Sequence, residues 1–220
     1  IELDIQLVDE DEIIVFHAYS RPLSKKSGEG SLIAKRRRIS EKFEKLLEEV
    51  PTLSDHKHSF KMELGYSTDM ILSEVTENNI KLIIMGTKGA VGVGELFGTK
   101  THEIVEKLNI PIIIVPKNAS LAETKRIGLA CDFSKSTDFG KLDFLIQLSE
   151  LLQAEVHIIT MNRDEKSMTH KEKSNREQVL ARMNRLQAQF TQTYHESIEH
   201  GLIKYCKKNE IGLLGILPKN

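Results

Sequence analysis

The 220-residue sequence has two cysteines, no long apolar run and no excess of either charge. Cys131 and Cys206 are too few for a disulfide framework. One sits in an apolar strand-like run and the other in a helix-like one, so both read as buried or half-buried thiols of a reducing compartment. No apolar run approaches the ~18 residues that span a bilayer. The first residues carry no signal-peptide pattern, so the expectation is a cytoplasmic protein without a membrane partner. The chain opens at Ile1 rather than Met, which reads as an incomplete or processed N-terminus. With 31 basic against 32 acidic residues, the net charge of −1 lacks the basic excess of a protein that coats nucleic acid.

What is present is the composition of a globular protein, 40% hydrophobic and 29% charged. At ~100–200 residues per domain, the length allows one large or two small domains. Short apolar runs at 13–17 (IIVFH), 82–85 (LIIM), 110–115 (IPIIIV), 127–131 (IGLAC) and 156–160 (VHIIT) read as buried strands. Pro111 stands near the start of its run, where a strand tolerates one. Helical patterns occupy 32–49, 68–78, 101–108, 139–152, 177–190 and 197–208, while 22–30 and 162–174 read as polar loops. Strands alternating with helices predict an α/β fold of parallel strands joined by helical crossovers.

The chain repeats itself. Glu12-Ile-Ile-Val-Phe-His17 lines up with Glu155-Val-His-Ile-Ile-Thr160, and Asn78-Asn79-Ile80-Lys81-Leu82-Ile83-Ile84 resembles Asn209-Glu210-Ile211-Gly212-Leu213-Leu214. The cut falls in the linker-like segment 118–124 (NASLAET), dividing the chain into domains 1–117 and 125–220. Each copy is short at one end. The second opens with a strand and turn, 125–134 (KRIGLACDFS), that the first lacks; the first closes with a Gly-rich loop, a helix and a strand that the second lacks.

The most informative stretch leaves a buried strand at Met85-Gly86, crosses Gly89, Gly92, Gly94 and Gly98, and enters a helix at Thr99-Lys100-Thr101. Glycines let backbone N–H groups close on a ligand. A helix N-terminus offers unpaired N–H groups and a positive dipole end to an anion, and Thr99 can cap it. The loop reads either as a phosphate site or as a crossover whose glycines serve turn geometry. It is not the Walker pattern, because Thr99 rather than glycine precedes Lys100, and Gly92-Val-Gly94 does not continue as a dinucleotide fingerprint.

These residues resemble the universal stress protein family, whose pattern is G-x-x-G, nine residues, then G-[ST] after the fourth strand of a five-stranded parallel sheet. Here Gly86-Thr-Lys-Gly89 is followed by eight residues and Gly98-Thr99, and then by a strand with Pro111 at its second position. Cys131-Asp132-Phe133-Ser134 looks like the end of the family's first strand, and Phe16-His17-Ala18-Tyr19 like the end of its second. The resemblance implies two open parallel-sheet units of adenine-nucleotide α-hydrolase-like, Rossmann-like type in tandem. It further implies an ATP site, with Mg²⁺, using Ala18, Met85, Gly86, Gly89, Gly98, Thr99 and Lys100 in the first copy and Asp132 in the second. The second copy reads as degenerate, without a Gly loop or last strand. The implied function is a stress-response regulator that binds an adenine nucleotide without strong turnover, as a homodimer or internal pseudo-dimer with an unidentified protein partner. The alternative is a nucleotide-free interaction scaffold.

No Ser/His/Asp or Cys/His grouping stands out, which argues against an adenylating ligase on the same fold. His56 and His58 read as part of a solvated loop rather than a metal pair, and His17 and His157 as core or strand-end histidines. Lys35-Arg-Arg-Arg38 precedes Glu41, Glu44, Glu48 and Glu49 on one helical pattern, which favours i,i+4 pairing over nucleic-acid contact. Asp132 is open to two readings, a ligand at the carboxyl edge of the sheet or an Asx turn with Ser134.

Overall fold

The computed structural model describes residues 11–19, 29–86, 99–116, 119, 121, 124–134, 139–186 and 188–217. Before the linker-like segment come strand β1 (Ile13–Tyr19), helix α1 (Glu29–Glu49), β2 (His58–Leu64), α2 (Ser67–Glu77), β3 (Ile83–Gly86), α3 (Thr99–Lys107) and β4 (Ile112–Val115). After it come β5 (Arg126–Ala130), α4 (Phe139–Leu151), β6 (Glu155–Asn162), α5 (His170–Arg182), β7 (Gln189–Tyr194), α6 (Ile198–Lys208) and β8 (Leu213–Ile216). Every described strand pair is parallel, in three sheets ordered β1-β2, β3-β4 and β7-β6-β5-β8. Two compact units result: one holds β1, α1, β2, α2 and α3, the other β3, β4 and everything from β5 to β8.

In the four-stranded sheet, alternation sorts β5 and β6 into two apolar faces. Ile127, Leu129, Val156 and Ile158 turn to one side and meet Leu142, Leu145 and Ile146 of α4 and Val179 and Met183 of α5, all buried. The alternate residues His157 and Met161 turn to the other side, where α6 lies. A Cβ on Gly201 would come within 2.7 Å of the Met161 sulfur and of the His195 Cβ, so the helix can seat at this depth only with glycine there. In the other unit the rings of Phe43 on α1 and Phe60 on β2 stack with centroids 4.6 Å apart. Lys61 of β2 reaches Glu74 of α2 at 2.7 Å.

The sequence repeat has a geometric counterpart. After α2, Asn79 takes φ 49° and the Ile80 N–H returns to the Val75 carbonyl at 3.2 Å; after α6, Glu210 takes φ 53° and Ile211 returns to Cys206 at 2.9 Å. Helix α4 ends likewise, with Gln153 at φ 49° and Ala154 bonded to the Ser149 carbonyl at 2.9 Å. These are Schellman terminations, which use the left-handed region to satisfy the last carbonyls. Gln153 carries a Cβ through that region at about 1–2 kcal/mol. Gln153→Gly is therefore expected to raise unfolding free energy by about 1 kcal/mol in urea titrations, less any entropy glycine returns to the unfolded chain.

The structure adds to and corrects the predicted elements. β2 and β7 are strands where no apolar run marked one. His58 lies in β2 rather than in a loop, its Nδ1 2.9 Å from the His56 carbonyl oxygen. Helix α5 begins inside the stretch read as a polar loop and stops at Arg182, so Phe190 belongs to β7 and not to a helix. The start is set by a capping box in which the Thr169 hydroxyl accepts from the Glu172 N–H and the Glu172 carboxylate accepts from the Thr169 N–H. On α1, Arg37–Glu41 and Lys45–Glu49 form the expected i,i+4 pairs at 3.1 and 3.0 Å.

Candidate functional site

From β5 the chain runs to β6 and β7 on one side and returns to β8 on the other, so the strand order reverses between β5 and β8. Open α/β sheets bind ligands at the carboxyl ends of strands at such a point, and the residues that leave β5 there are Cys131, Asp132, Phe133 and Ser134.

This turn is fastened at every residue. The Cys131 N–H donates to the Ile159 carbonyl at 3.0 Å, extending the ladder past β5, and the Thr160 hydroxyl donates to the Cys131 carbonyl at 2.8 Å. Oδ1 of Asp132 accepts from the Ser134 N–H at 3.1 Å and from its hydroxyl at 2.9 Å, which is the Asx turn. Phe133 takes φ 54° although it is a large residue with a buried ring. Its carbonyl accepts from Nδ2 of the buried Asn175 on α5 at 2.8 Å, and its ring lies 6.0 Å from that of Phe190. Backbone held in a sparsely populated region by surrounding bonds is a recurrent property of binding sites.

The surroundings are charged. Arg176 stands over the Phe190 ring at 5.1 Å from its centroid. The Thr169 N–H, then its hydroxyl, hold the Glu172 carboxyl below its ordinary value, with Lys166 helping and the charge of Asp132 opposing. Further along the same edge, an open groove of about 460 Å³ runs between the β6–α5 connection and β7, past Asn162, Lys166, Gln192 and Tyr194. It lies over β6 and β7, away from the reversal point.

The other sequence-predicted residues fall as follows. Ala18 is the next-to-last residue of β1, opposite Glu63, beside the buried Tyr19 whose carbonyl accepts from the Gly65 N–H at 3.0 Å. Met85 and Gly86 close β3, in register with Ile114 and Val115. A Cβ on Gly86 would meet only the Val115 carbonyl, at 3.9 Å, so packing among the described residues does not demand glycine here. Thr99 and Lys100 open α3. Gly89 and Gly98 lie outside the described residues. Ala18, Thr99 and Lys100 belong to one compact unit, Met85, Gly86 and Asp132 to the other.

Sequence reasoning singled out Asp132 and its Asx turn with Ser134 but not Asn175, Thr160 or the left-handed Phe133. A [ST]-x-x-E signal at Thr169 would have started α5 early enough to include Asn175; nothing in the local pattern points Asn175 at Phe133.

Among solved structures, a universal stress protein from Archaeoglobus fulgidus DSM 4304 is similar with a TM-score of 0.70 at 15% identity, covering 94% of this chain and 74% of that one. A protein from Pseudomonas aeruginosa UCBPP-PA14 assigned to the same group gives 0.61 at 14% identity, covering 93% and 81%. One of unknown function from Pseudomonas aeruginosa PAO1 gives 0.58 at 14%, covering 93% and 80%. At such identities these likenesses show the fold. No curated protein matches the chain. The model of the universal stress protein family matches residues 3–116, more than half of the chain, and this protein belongs to that family.

Proposed function

We propose that this protein is a stress-response regulator that binds ATP or another adenine nucleotide without strong turnover. The stress-response role follows from family membership. The observation that carries nucleotide recognition is the Asp132 turn, a carboxylate fixed on a fastened, left-handed turn where the strand order reverses. The chemistry fits in part, taken copy by copy. Asp132 in the second copy would accept from ligand hydroxyl or amino groups; separately, the loop 86–99 of the first copy would hold phosphates, with Gly86 leaving room beside the backbone. The nucleotide, when bound, would supply the anion for that loop. We place the protein in the cytoplasm, as a homodimer or internal pseudo-dimer with a protein partner. We assign no part to nucleic acid or membrane; the charge is balanced, and no described helix is long and apolar enough to cross a bilayer.

A second reading, a nucleotide-free scaffold, is favoured by the half-exposed Ile84 and Ile216 on β3 and β8 and by Tyr66, 81% exposed. Isothermal titration of the full chain with ATP and Mg²⁺ separates the two. Asp132→Ala is expected to weaken binding tenfold or more, since a hydrogen bond to a charged group is worth about 1.5–3 kcal/mol, and Gly98→Val to abolish it. Binding that survives both variants would put the nucleotide elsewhere. No heat from the folded wild type would leave the scaffold as the function.

A further inference from the structure

We propose that His157 is a proton-operated latch that holds α6 on the sheet when neutral and loosens it when protonated. His157 lies in the middle of the sheet on β6, with Gly128 of β5 on one side and Gln189 of β7 on the other, and is 7% exposed. Its Nδ1 is 3.1 Å from the hydroxyl of Tyr205 on α6, and that hydroxyl donates onward to Oγ1 of Thr191 on β7 at 3.2 Å. One chain of bonds thus ties β6, α6 and β7. With the tyrosine proton directed to Thr191, the matching tautomer assigns the imidazole proton to Nδ1, which donates to the tyrosine oxygen. In that tautomer Nε2 is a bare lone pair, fully buried with no hydrogen-bond partner among the described residues.

That orphan nitrogen gives the latch its sensitivity. In the neutral ring an unpaired lone pair is tolerated at modest cost. Protonation puts an N–H and a full charge at a buried point with no acceptor among the described residues, and such groups are expensive to bury. The neighbours do little to relieve it. From β5 the Arg126 guanidinium adds positive potential. On β6 itself Glu155 attracts the cation, but it is 61% exposed and already paired with Arg126 at 3.1 Å. The β7 residues beside it, Gln189 and Thr191, are uncharged. Helix α6 brings Tyr205, the half-buried Cys206 thiol, Lys204, Lys207 and Lys208, with Glu199 and His200 in the first turn and His195 just before the Ser197 cap. Burial, with Arg126 adding to it, holds the imidazole below its ordinary value of 6.5.

The sign follows by linkage. A histidine whose folded value is depressed leaves stability intact above the unfolded value, 6.5, and subtracts from it as pH falls through 6.5 toward the lower folded value. The strain is relieved by moving away the element that covers the ring. That element is α6, whose Tyr205 hydroxyl lies 3.1 Å from Nδ1 and whose Tyr205 ring stands edge-on to the imidazole, with centroids 6.2 Å apart. Acid should therefore open α6 before it disturbs α4 and α5, which pack on the opposite face.

The test is hydrogen exchange of the full chain read on the α6 segment, corrected for intrinsic rates, from about pH 7.5 to about pH 5. Protection of α6 should fall severalfold, while that of α4 holds. His157→Gln, which keeps a neutral partner for Tyr205, should remove the difference. Unchanged wild-type protection, or an equal loss in the variant, overturns the proposal. Should the variant not fold, the imidazole of the unmodified protein decides by NMR titration: a value below 6.5 supports the latch, and one at or above it sinks the idea.

Discussion

Ile158→Ala is expected to lower the unfolding free energy of the unit that holds the four-stranded sheet by about 2–5 kcal/mol. The side chain is fully buried in β6, the strand between β5 and β7, and belongs to the cluster joining α4 and α5 to the sheet. Truncation removes its transfer energy and leaves a void that neighbours cannot close from both flanks without disturbing two strand ladders. The comparison is Ile216→Ala in β8, where the isoleucine is 52% exposed; that change should cost well under about 1 kcal/mol. Urea unfolding of both variants checks the pair. Equal losses would mean that β6 is not the centre of the core.

The same burial explains what could be read from the sequence. β5 and β6 are covered on both faces, so they spell continuous apolar runs, IGLA and VHIIT, and were legible as strands. β2 (HSFKMEL) and β7 (QFTQTY) mix polar with apolar residues, and no run gave them away. Phe190 therefore read as the tail of a helix, when it is the β7 residue whose ring lies tilted beside that of Phe133. The repeat was legible for a sharper reason. Asn78-Asn79-Ile80 and Asn209-Glu210-Ile211 are the same helix termination, and its αL residue and following isoleucine are dictated by geometry rather than by ligand.

The candidate site was legible only where a residue acts through its neighbours in sequence. Asp132 with Ser134 is a local turn, and the pattern D-x-S shows it. The bond from Asn175 to the Phe133 carbonyl spans 42 residues and depends on α5 crossing back over the sheet, so no spacing could reveal it. The phosphate loop is the converse case, conspicuous in sequence at Gly86, Gly89, Gly98 and Thr99 while 87–98 lie outside the described residues.

That long-range bond carries the second large effect. Asn175→Ala leaves the buried Phe133 carbonyl without its donor, at a cost of about 1–3 kcal/mol. The loss does not stop there, because the bond is one of those that keep Phe133 in the left-handed region. With it gone, the turn gains by relaxing to negative φ, and Asp132 moves with it. Thr160→Val removes a second brace, the hydroxyl on the Cys131 carbonyl, two residues away on the same turn. If both act on one strained element, the double variant should lose less than the two singles together, with a coupling of about 0.5–3 kcal/mol. Urea unfolding of the four proteins measures it. Additivity within about 0.5 kcal/mol would show two independent buried bonds and remove the grounds for treating the Asp132 turn as a preset site. Non-additivity would mean that Asn175 on α5 and Thr160 on β6 jointly fix where the carboxylate stands, before any ligand arrives.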